Sequence, residues 1–176
     1  HLSKRSQFIN IYQKYCNTCH QSNCLDFDDL LIKTFELFNK DQNILNYYQS
    51  LFQHVLIDEY QDTNKTQDKI IKQISQKHQN VCVVGDDSQS IYSFRGANIS
   101  NILNFKSFYQ NVKEFKLEQN YRSTQNIVNA ANSLISHNQY KIEKTIFSKN
   151  KEGEKIHLYI YQDGREEGEK TISKIH

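Results

Sequence analysis

Two short apolar runs that end in acidic residues constrain this chain more than any other feature. Residues 55–59 read Val-Leu-Ile-Asp-Glu, and residues 81–87 read Val-Cys-Val-Val-Gly-Asp-Asp. About 20 residues with one apolar helical face separate the runs, which predicts a right-handed βαβ unit with two buried parallel strands. Parallel strands end at the same edge of a sheet, where open α/β folds bind ligands, so we expect the acidic ends to share that edge.

The first acidic end offers two carboxylates, Asp58 and Glu59. Adjacent residues on a strand point to opposite faces, so the two side chains can take different roles. One can hold Mg²⁺, directly or through water, while the other orients a nucleophilic water. A solvated strand end explains the same pattern, and the other segments of the chain have to decide between the two interpretations.

The composition limits the function classes. The chain has 176 residues, enough for one domain or parts of two, and 22 Lys and Arg against 20 Asp and Glu give a net charge of only +2. No strong global field toward nucleic acid or membrane follows, although a local basic patch stays possible. No apolar stretch approaches the roughly 18 residues of a membrane span and no signal peptide is visible, so we expect a cytoplasmic protein. The apolar fraction of 37% and the missing initiator Met favour a fragment of a longer protein.

Three of the four cysteines form a Cys-x-x-Cys-His sequence, Cys16 to His20, followed by Cys24. Haem attachment and a zinc site are the functional interpretations of this pattern. Residues 8–21 have helical periodicity, and all four candidate ligands lie within nine residues, which is too compact for an easy tetrahedral site. We therefore expect reduced thiols on a helix.

Periodicity and capping residues predict the remaining elements. An Asp of residues 26–29 is expected to cap a helix rather than bind Ca²⁺, because the Gly and distal Glu of an EF-hand are absent. Asp62 or Thr63 is expected to cap the helix between the two strands, and Ser123 or Thr124 the helix after them. The predicted helices are 3–24, 30–39, one ending at 77, 98–108, 125–136 and one from about 165; the predicted strands are 53–58, 81–84, 112–117 and 156–161.

The loop after the second strand carries a dense set of functional side chains. Gly85 would allow a sharp turn, and the amide of Gln89 can donate to a phosphate oxygen or a water. Tyr92 and Phe94 precede Arg95, and aromatic rings combined with a guanidinium suit single-stranded nucleic acid, whose bases stack while the cation follows the backbone. Packing of the aromatic side chains onto the core is the alternative.

A third segment, Asn120-Tyr121-Arg122-Ser123, lies between a predicted strand and a helix start. Anions are favoured at a helix N-terminus, so Arg122 could stabilise charge on a transferring phosphoryl group. Tyr121 could stack on a nucleobase. A surface arginine at a helix start is the simpler interpretation.

Taken together, these segments resemble the UvrD/Rep family of superfamily 1 helicases. Leu56 to Asn64 resembles the Walker B segment (the DExQ box), and Gly85 to Ala97 and Leu117 to Thr124 resemble the third and fourth motifs. Asp26 to Leu31 resembles the Asp-Phe-Asp-Asp-Leu segment that precedes the Walker B strand. The resemblance runs from about residue 10 to about residue 138.

The resemblance implies a role for each matching side chain at the nucleotide. Asp58 would hold the Mg²⁺ of MgATP, and Glu59 would be the base that orients the hydrolytic water. Gln61 would link hydrolysis to motion, and Gln89 would sense the γ-phosphate.

Two further groups have implied roles. Tyr121 would stack on the adenine, and Arg122 would act as an arginine finger from a second RecA-like domain. The side chains that would line the track for single-stranded DNA are Tyr92, Phe94 and Arg95.

The chain also departs from the family pattern. Phe94 stands where the family usually has Trp, and Ser88 where it usually has Asp. A phosphate-cradling G-x-x-x-x-G-K-[ST] loop should precede the DExQ box, and none does. The nearest string, Gly164 to Thr171, has Glu169 at the position of the second Gly and lies downstream of the acidic strand, so a charged helix start is expected there. The family's two later motifs are absent as well.

The resemblance implies an α/β fold with an incomplete parallel sheet of the RecA-like, P-loop NTPase type. Residues 1–24 would be the tail of an inserted helical subdomain, 25–111 the later part of a first RecA-like domain, and 112–176 the start of a second, with a hinge near 110–120. The parent protein would be an ATP-dependent 3′–5′ DNA helicase that uses ATP and Mg²⁺ and acts on single-stranded DNA and its junctions with duplex. Repair or replication proteins are possible partners.

Two alternatives remain open. The chain could be a vestigial or non-enzymatic single-strand-binding product, or part of a helicase-like subunit of a recombination nuclease. In every case we expect the isolated 176 residues to lack ATPase activity, because no P-loop is present.

Overall fold

A computed structural model describes residues 2–175, with side chains from residue 7 onward. The chain divides into two compact units, one ending at Lys113 and the other beginning at Glu114. Both combine helices with a small parallel sheet, so the fold is mixed helix and strand.

The first unit contains six helices, two strands and three short 3₁₀ turns among its described residues. Its βαβ arrangement is confirmed, because β1 (Val55–Ile57) and β2 (Val81–Val83) pair in parallel, with Val55 opposite Val81, and α4 (Lys65–Ser75) connects them. The acidic ends of both strands therefore lie at one edge of the sheet. The elements are α1 (Leu2–Gln21), α2 (Phe27–Lys40), α3 (Gln42–Leu51), β1 (Val55–Ile57), α4 (Lys65–Ser75), β2 (Val81–Val83), α5 (Ser100–Leu103) and α6 (Phe105–Phe108), with 3₁₀ turns at Tyr60–Asp62, Asp87–Gln89 and Ser93–Arg95.

The two strands are less buried than their apolar sequence predicts. Leu56 is 76% exposed and Cys82 is also exposed, whereas Ile57 lies beside Leu31 of α2 and Ile70 of α4. The prediction of two buried strands is wrong here, because Leu56 and Cys82 are exposed and Ile57 is only half-buried, at a cleft that α2 and α4 also line. Alternate residues of a strand point to opposite faces, so Leu56 remains on the uncovered side.

Side-chain caps explain where the helices of the first unit begin. Asp26 caps α2 as predicted, since its Oδ1 accepts the Asp29 N–H at 2.7 Å. The predicted caps of α4, Asp62 and Thr63, are wrong. Asn64 is the cap, in a reciprocal capping box with Gln67, because a 3₁₀ turn occupies the residues just before it.

The helices of this region differ from the prediction at two places. Helix α3 was not predicted, although Asp41 caps it by accepting the N–H groups of Asn43 and Ile44. The single helix expected at 98–108 is broken at Asn104, which has φ −100° and ψ 13° and separates α5 from α6.

The second unit is smaller. Strand β3 (Gln119–Asn120) pairs in parallel with β4 (Phe147–Ser148), and two helices accompany them, α7 (Gln125–Ile135) and α8 (Gly164–Ile175). The predicted strands 112–117 and 156–161 do not form, and β4 was not predicted. A strand needs a neighbour for its N–H and C=O groups, and within the described part of this unit only the β3–β4 pair meets that requirement.

The starts of α7 and α8 differ from those of the first unit. Thr124 occupies the cap position of α7 but makes no side-chain capping bond. Instead, the N–H groups of Gln125 and Asn126 donate to the backbone carbonyls of Lys151 and Glu152. Helix α8 begins at Gly164, and the whole string from Gly164 to Thr171 lies inside it. The charged helix start predicted for that string is confirmed.

The remaining whole-chain findings concern membranes and metals. Within residues 2–175 no helix is long and apolar enough to cross a membrane. The four cysteines are free thiols, and among the described residues no three or more His, Cys, Asp or Glu side chains are grouped to hold a metal ion.

Candidate functional site

The two carboxylates at the end of β1 are arranged by a tight turn. Asp58 Oδ1 accepts the N–H of Glu59 at 2.9 Å, and Glu59 has a left-handed backbone, with φ 50° and ψ 44°. Both residues are exposed and follow the last residue of the strand. The directions of the two side chains therefore depend on this turn, and the prediction that strand alternation separates them is wrong.

Gln61 links the ends of the two strands. Its side chain is almost wholly buried, at 1% exposure; Nε2 donates to Glu59 Oε2 at 2.7 Å, and Oε1 accepts the backbone N–H of Asp86 at 3.0 Å. A single amide group thus joins the carboxylate after β1 to the backbone after β2.

Gly85 is needed for this link rather than for a sharp turn. Its φ is not in the positive region, unlike that of Gly96 in the same loop. A Cβ atom at Gly85 would lie 2.6 Å from Gln61 Oε1 and 3.2 Å from the Tyr60 backbone nitrogen. Glycine is therefore favoured here, because a side chain would displace Gln61 and crowd the backbone of the neighbouring turn.

The hydrogen-bonded set continues into the loop after β2. The Asp86 carboxylate accepts the Ser88 N–H at 3.0 Å and the Gln89 Nε2 amide at 2.9 Å. Gln89, the residue expected to sense phosphate, is exposed and is held against Asp86. Glu59, Gln61, Asp86 and Gln89 consequently form one continuous arrangement at the edge of the sheet.

The loop of residues 88–97, called the aromatic loop below, presents its candidate DNA-binding side chains to solvent. The Arg95 guanidinium lies 5.4 Å from the ring centres of both Tyr92 and Phe94, and the rings are 6.1 Å apart. All three side chains are exposed, with Phe94 at 77%. Packing onto the core, the alternative considered from the sequence, is therefore not what these side chains do.

The segment after Glu59 holds the far end of this loop. Asn64 and Ala97 form an antiparallel bridge, and the Asn98 N–H donates to the Thr63 carbonyl at 3.0 Å. Asn101, which is 8% exposed, donates from Nδ2 to the carbonyl and the hydroxyl oxygen of Thr63, both at 3.1 Å. Sequence reasoning missed Asn101, because an asparagine 38 residues away carries no local signal for this contact.

An open cleft of about 440 Å³ lies beside the acidic end of β1. Apolar side chains of α2, β1 and α4 line it together with Asp58, Glu59 and Asp62. Asp62 Oδ1 is buried and has no hydrogen-bond partner among the described residues.

In the second unit, the Tyr121–Arg122 corner is fixed through its backbone. Asn120 Oδ1 accepts the N–H groups of Arg122 and Ser123 at 2.9 and 2.8 Å. Asn150 Nδ2 donates to the carbonyls of Tyr121 and Ser123 at 3.2 and 3.0 Å. The Tyr121 and Arg122 side chains are exposed. Sequence reasoning did not find the supporting role of Asn150, which lies 27 residues beyond Ser123.

The residues at the acidic edge fit Mg²⁺ bound with a nucleotide better than a metal held by protein alone. Mg²⁺ keeps several waters and takes one or two carboxylates together with phosphate oxygens, and Asp58 can supply such a carboxylate. The described residues do not offer a matching cradle for the phosphates. The string nearest to a phosphate loop, Gly164 to Thr171, has Glu169 at the position of the second Gly and lies in α8, with Glu166 and Glu167 in the first turn. That string does not suit a phosphate.

Comparison with known proteins identifies the family. A family model for the UvrD/REP helicase N-terminal domain matches residues 1–110, and one for the UvrD-like helicase C-terminal domain matches residues 115–176. The chain belongs to the UvrD-like helicase family. The gap between the two matches contains the boundary between the two compact units.

Relatives named ATP-dependent DNA helicase PcrA are similar along nearly the whole chain. The protein of Staphylococcus epidermidis is 46% identical over 171 residues, which is 97% of this chain and 24% of the relative. The protein of Staphylococcus aureus is also 46% identical over 171 residues, which is 23% of its length. The chain thus spans about a quarter of these helicases, and the UvrD/Rep resemblance read from its motifs is confirmed.

Proposed function

We propose that this chain is the part of an ATP-dependent DNA helicase that joins the hydrolytic residues to the single-strand DNA track. It would comprise the later part of one RecA-like domain, residues 25–111, and the start of a second, residues 112–176, with residues 1–24 as the tail of a helical subdomain. The observation that carries the proposal is the buried Gln61 amide, which joins Glu59 to the backbone of Asp86.

The hydrolytic role of Glu59 is supported by its hydrogen bonds. One carboxylate oxygen, Oε2, accepts from Gln61, which fixes the orientation of the group. The carboxylate retains acceptor capacity for a water, because an ionised carboxylate offers about four lone-pair sites. A water held there would be oriented and would lose a proton toward Glu59 as it attacks. Mg²⁺ bound with the nucleotide would neutralise phosphate charge beside Asp58.

Gln89 would report on the nucleotide. Its Nε2 donates one hydrogen to Asp86 and keeps a second N–H for a phosphate oxygen. Loss of that phosphate would leave Gln89 bonded to Asp86 alone. The contacts of Thr63 with Asn98 and Asn101 then carry a shift of the turn after Glu59 to the aromatic loop. This contiguous set of bonds is the proposed link between hydrolysis and movement of DNA.

The aromatic loop would bind single-stranded DNA. Tyr92 and Phe94 offer ring faces for stacking, worth about 1–3 kcal/mol per base, and Arg95 adds a cation that follows the phosphates. The charge of only +2 agrees with a local binding site rather than a broad basic surface. Movement in the 3′–5′ direction and unwinding at junctions with duplex belong to the same proposal.

The second unit would contribute to the nucleotide through two exposed side chains. Tyr121 would stack on the adenine, and Arg122 would stabilise charge on the transferring phosphoryl group. The Asn120 and Asn150 bonds support this role because they hold the backbone of the corner while its side chains stay accessible. The cytoplasmic location and a role in repair or replication also stay predictions.

A non-enzymatic single-strand-binding product is the second candidate. The observation that favours it is that no glycine-rich phosphate loop occurs anywhere in residues 2–175. For this reason we expect the isolated chain to show no ATP hydrolysis. Hydrolysis by the isolated chain that disappears in Glu59→Gln would contradict that expectation.

A hybrid helicase provides the direct test of the proposed function. This chain would replace the matching segment of the Staphylococcus aureus PcrA, and ATP hydrolysis would be measured with and without single-stranded DNA. We expect DNA-stimulated hydrolysis that falls about 10²–10⁴-fold in Glu59→Gln, as for loss of a general base. Glu36→Gln is the matched control, since Glu36 lies on the surface of α2 and pairs with Lys33. A folded hybrid without hydrolysis, or equal activity in both variants, would overturn the proposal.

A further inference from the structure

A buried tyrosine directly follows the proposed base. Tyr60 has no solvent exposure, and its hydroxyl donates to Asp68 Oδ1 of α4 at 2.6 Å. Its backbone N–H donates to the Val84 carbonyl at 3.0 Å, and its ring meets Phe105 edge to face with centres 5.7 Å apart. Tyr60 is therefore fixed by its backbone, its ring and its hydroxyl at once.

Glu59 needs such an anchor because of its backbone conformation. A left-handed conformation costs a non-glycine residue about 1–2 kcal/mol, so it persists only where neighbouring groups impose it. On one side Asp58 Oδ1 accepts the Glu59 N–H. On the other side the chain is fixed at Tyr60. Rotation of the Glu59 backbone would have to move the buried Tyr60 ring or break its hydroxyl bond.

Asp68 is a strong partner for that hydroxyl. It is 7% exposed, and its other oxygen accepts from Lys72 Nζ at 2.7 Å, so its buried charge is paired. Lys72 Nζ also lies 4.7 Å from the ring centre of Phe108. Burial, followed by the bond to Asp68, raises the pKa of Tyr60, which keeps its hydroxyl protonated as a donor. A hydrogen bond to a carboxylate is roughly twice as strong as a neutral one.

We propose that Tyr60 and Asp68 form a positioning pair that sets the backbone of Glu59 and hence the direction of its carboxylate. The pair acts through Glu59 and does not contact the nucleotide. This inference rests on the proposed function of Glu59 as the base. It gives α4, which carries Asp68, a part in hydrolysis that none of the helicase motifs of this chain supplies.

The same core contains a matched control. Tyr109 is also buried, at 6% exposure, and its ring lies 4.6 Å from the same Phe105. Its hydroxyl bonds to that of Ser75 at 2.9 Å, and this bond does not lead to Glu59. Removing either hydroxyl deletes one buried hydrogen bond of a tyrosine, and only Tyr60→Phe alters the support of Glu59.

The first experiment uses the full chain and needs no catalysis. Amide hydrogen exchange would be compared for the chain, Tyr60→Phe and Tyr109→Phe. We expect at least tenfold faster exchange at the backbone amides of Tyr60 and Asp62 in Tyr60→Phe alone, since both amides donate hydrogen bonds around this turn. Equal acceleration of these amides in both variants, or none in Tyr60→Phe, would overturn the proposal.

The second experiment measures kcat and KM for ATP in the hybrid helicase. Tyr60→Phe is expected to lower kcat about 10–100-fold with KM within twofold, because misplacement of a catalytic group by about 1 Å can cost about 10²-fold. Tyr109→Phe is expected to lower the melting temperature to a similar extent with kcat within twofold. Asp68→Asn, which keeps an acceptor, should retain more activity than Asp68→Ala.

These outcomes separate the positioning role from a purely structural role and from the proposed function. Equal loss of kcat in both Tyr→Phe variants, or no loss in Tyr60→Phe, would contradict the positioning role. A hybrid that never hydrolyses ATP would contradict the proposed function instead, and amide exchange would still decide whether the pair holds Glu59.

Discussion

The two compact units hold their candidate catalytic side chains in different ways. In the first unit the buried Gln61 amide joins Glu59 to the backbone after β2, and the next residue along the chain, the buried Tyr60, bonds to Asp68 of α4. In the second unit the bonds around Tyr121 and Arg122 go to backbone atoms, and both side chains are exposed. The proposed base is therefore held from within its own unit, whereas the proposed arginine finger is held only at its backbone.

This difference shows which candidate catalytic side chains each unit can hold in place by itself. A side chain fixed by buried hydrogen bonds is preorganised, because leaving any of those groups unsatisfied costs about 1–3 kcal/mol. Within the described residues, the exposed Arg122 side chain has no such buried hydrogen bonds to fix it. Substitutions near Glu59 should consequently affect folding and activity together, while substitutions at Arg122 should affect activity alone.

The largest effect on kcat is expected for a substitution in the second unit. In the hybrid helicase, Arg122→Ala should lower kcat about 10³–10⁵-fold, the range typical of an arginine finger. Its melting temperature should stay unchanged, because the Arg122 side chain is exposed. Arg165→Ala is the control, since Arg165 is an exposed arginine of α8 paired with Glu169. Loss of activity in both variants, or in neither, would argue against the finger.

The next effect concerns the close contact at Gly85. Gly85→Ala should destabilise the first unit by about 1–3 kcal/mol, because the new Cβ would overlap Gln61 Oε1. It should also lower kcat in the hybrid helicase through the displaced Gln61. Gly164→Ala is the matched change, with no atom within 4 Å of its added Cβ.

Urea unfolding of the full chain, followed by amide exchange in each unit, measures both changes. Gly164→Ala should leave stability unchanged or raise it slightly, because alanine favours a helix. Equal stability of the two variants would mean that Gln61 does not occupy the space beside Gly85.

A smaller effect is expected for DNA binding by the aromatic loop. Phe94→Ala should weaken single-strand binding by the full chain by about 1–3 kcal/mol, roughly 5–150-fold, and duplex binding much less. Phe115→Ala in the second unit is the control, since Phe115 is 82% exposed and Phe94 is 77% exposed. Fluorescence anisotropy at one fixed salt concentration measures both. Equal loss on single strands and duplex would contradict base stacking.

The smallest effect on stability is expected at the starts of α4 and α7. Asn64→Ala should lower the stability of the first unit by about 1 kcal/mol, because Asn64 Oδ1 accepts the Thr66 and Gln67 N–H groups. Thr124→Ala should change the second unit by less than about 0.5 kcal/mol, since Thr124 makes no capping bond. Amide hydrogen exchange near each helix start measures the effects of both substitutions. A comparable loss in both units would show that the backbone carbonyls of residues 151–152 do not replace a side-chain cap.

The chain's own sequence determined its local order and its family. Alternating strand and helix patterns predicted β1, α4 and β2 in a parallel unit, because hydrophobic periodicity and capping act over a few residues. The motifs predicted the helicase family from the same short segments. Roles within the site, such as those of Asp58 and Glu59, stay predictions, and Glu59→Gln in the hybrid helicase tests that of Glu59.

The way in which the motifs are joined became visible only in the tertiary structure, because it depends on contacts between distant residues. Gln61 reaches Asp86, Asn101 reaches Thr63, and Asn150 reaches Tyr121, each across more than 20 residues. It also corrected the cap of α4 and the reason for Gly85, and it removed the strands predicted at 112–117 and 156–161. A strand or a buried polar side chain is stable only when a partner meets it in space, and residues distant in the sequence supply that partner.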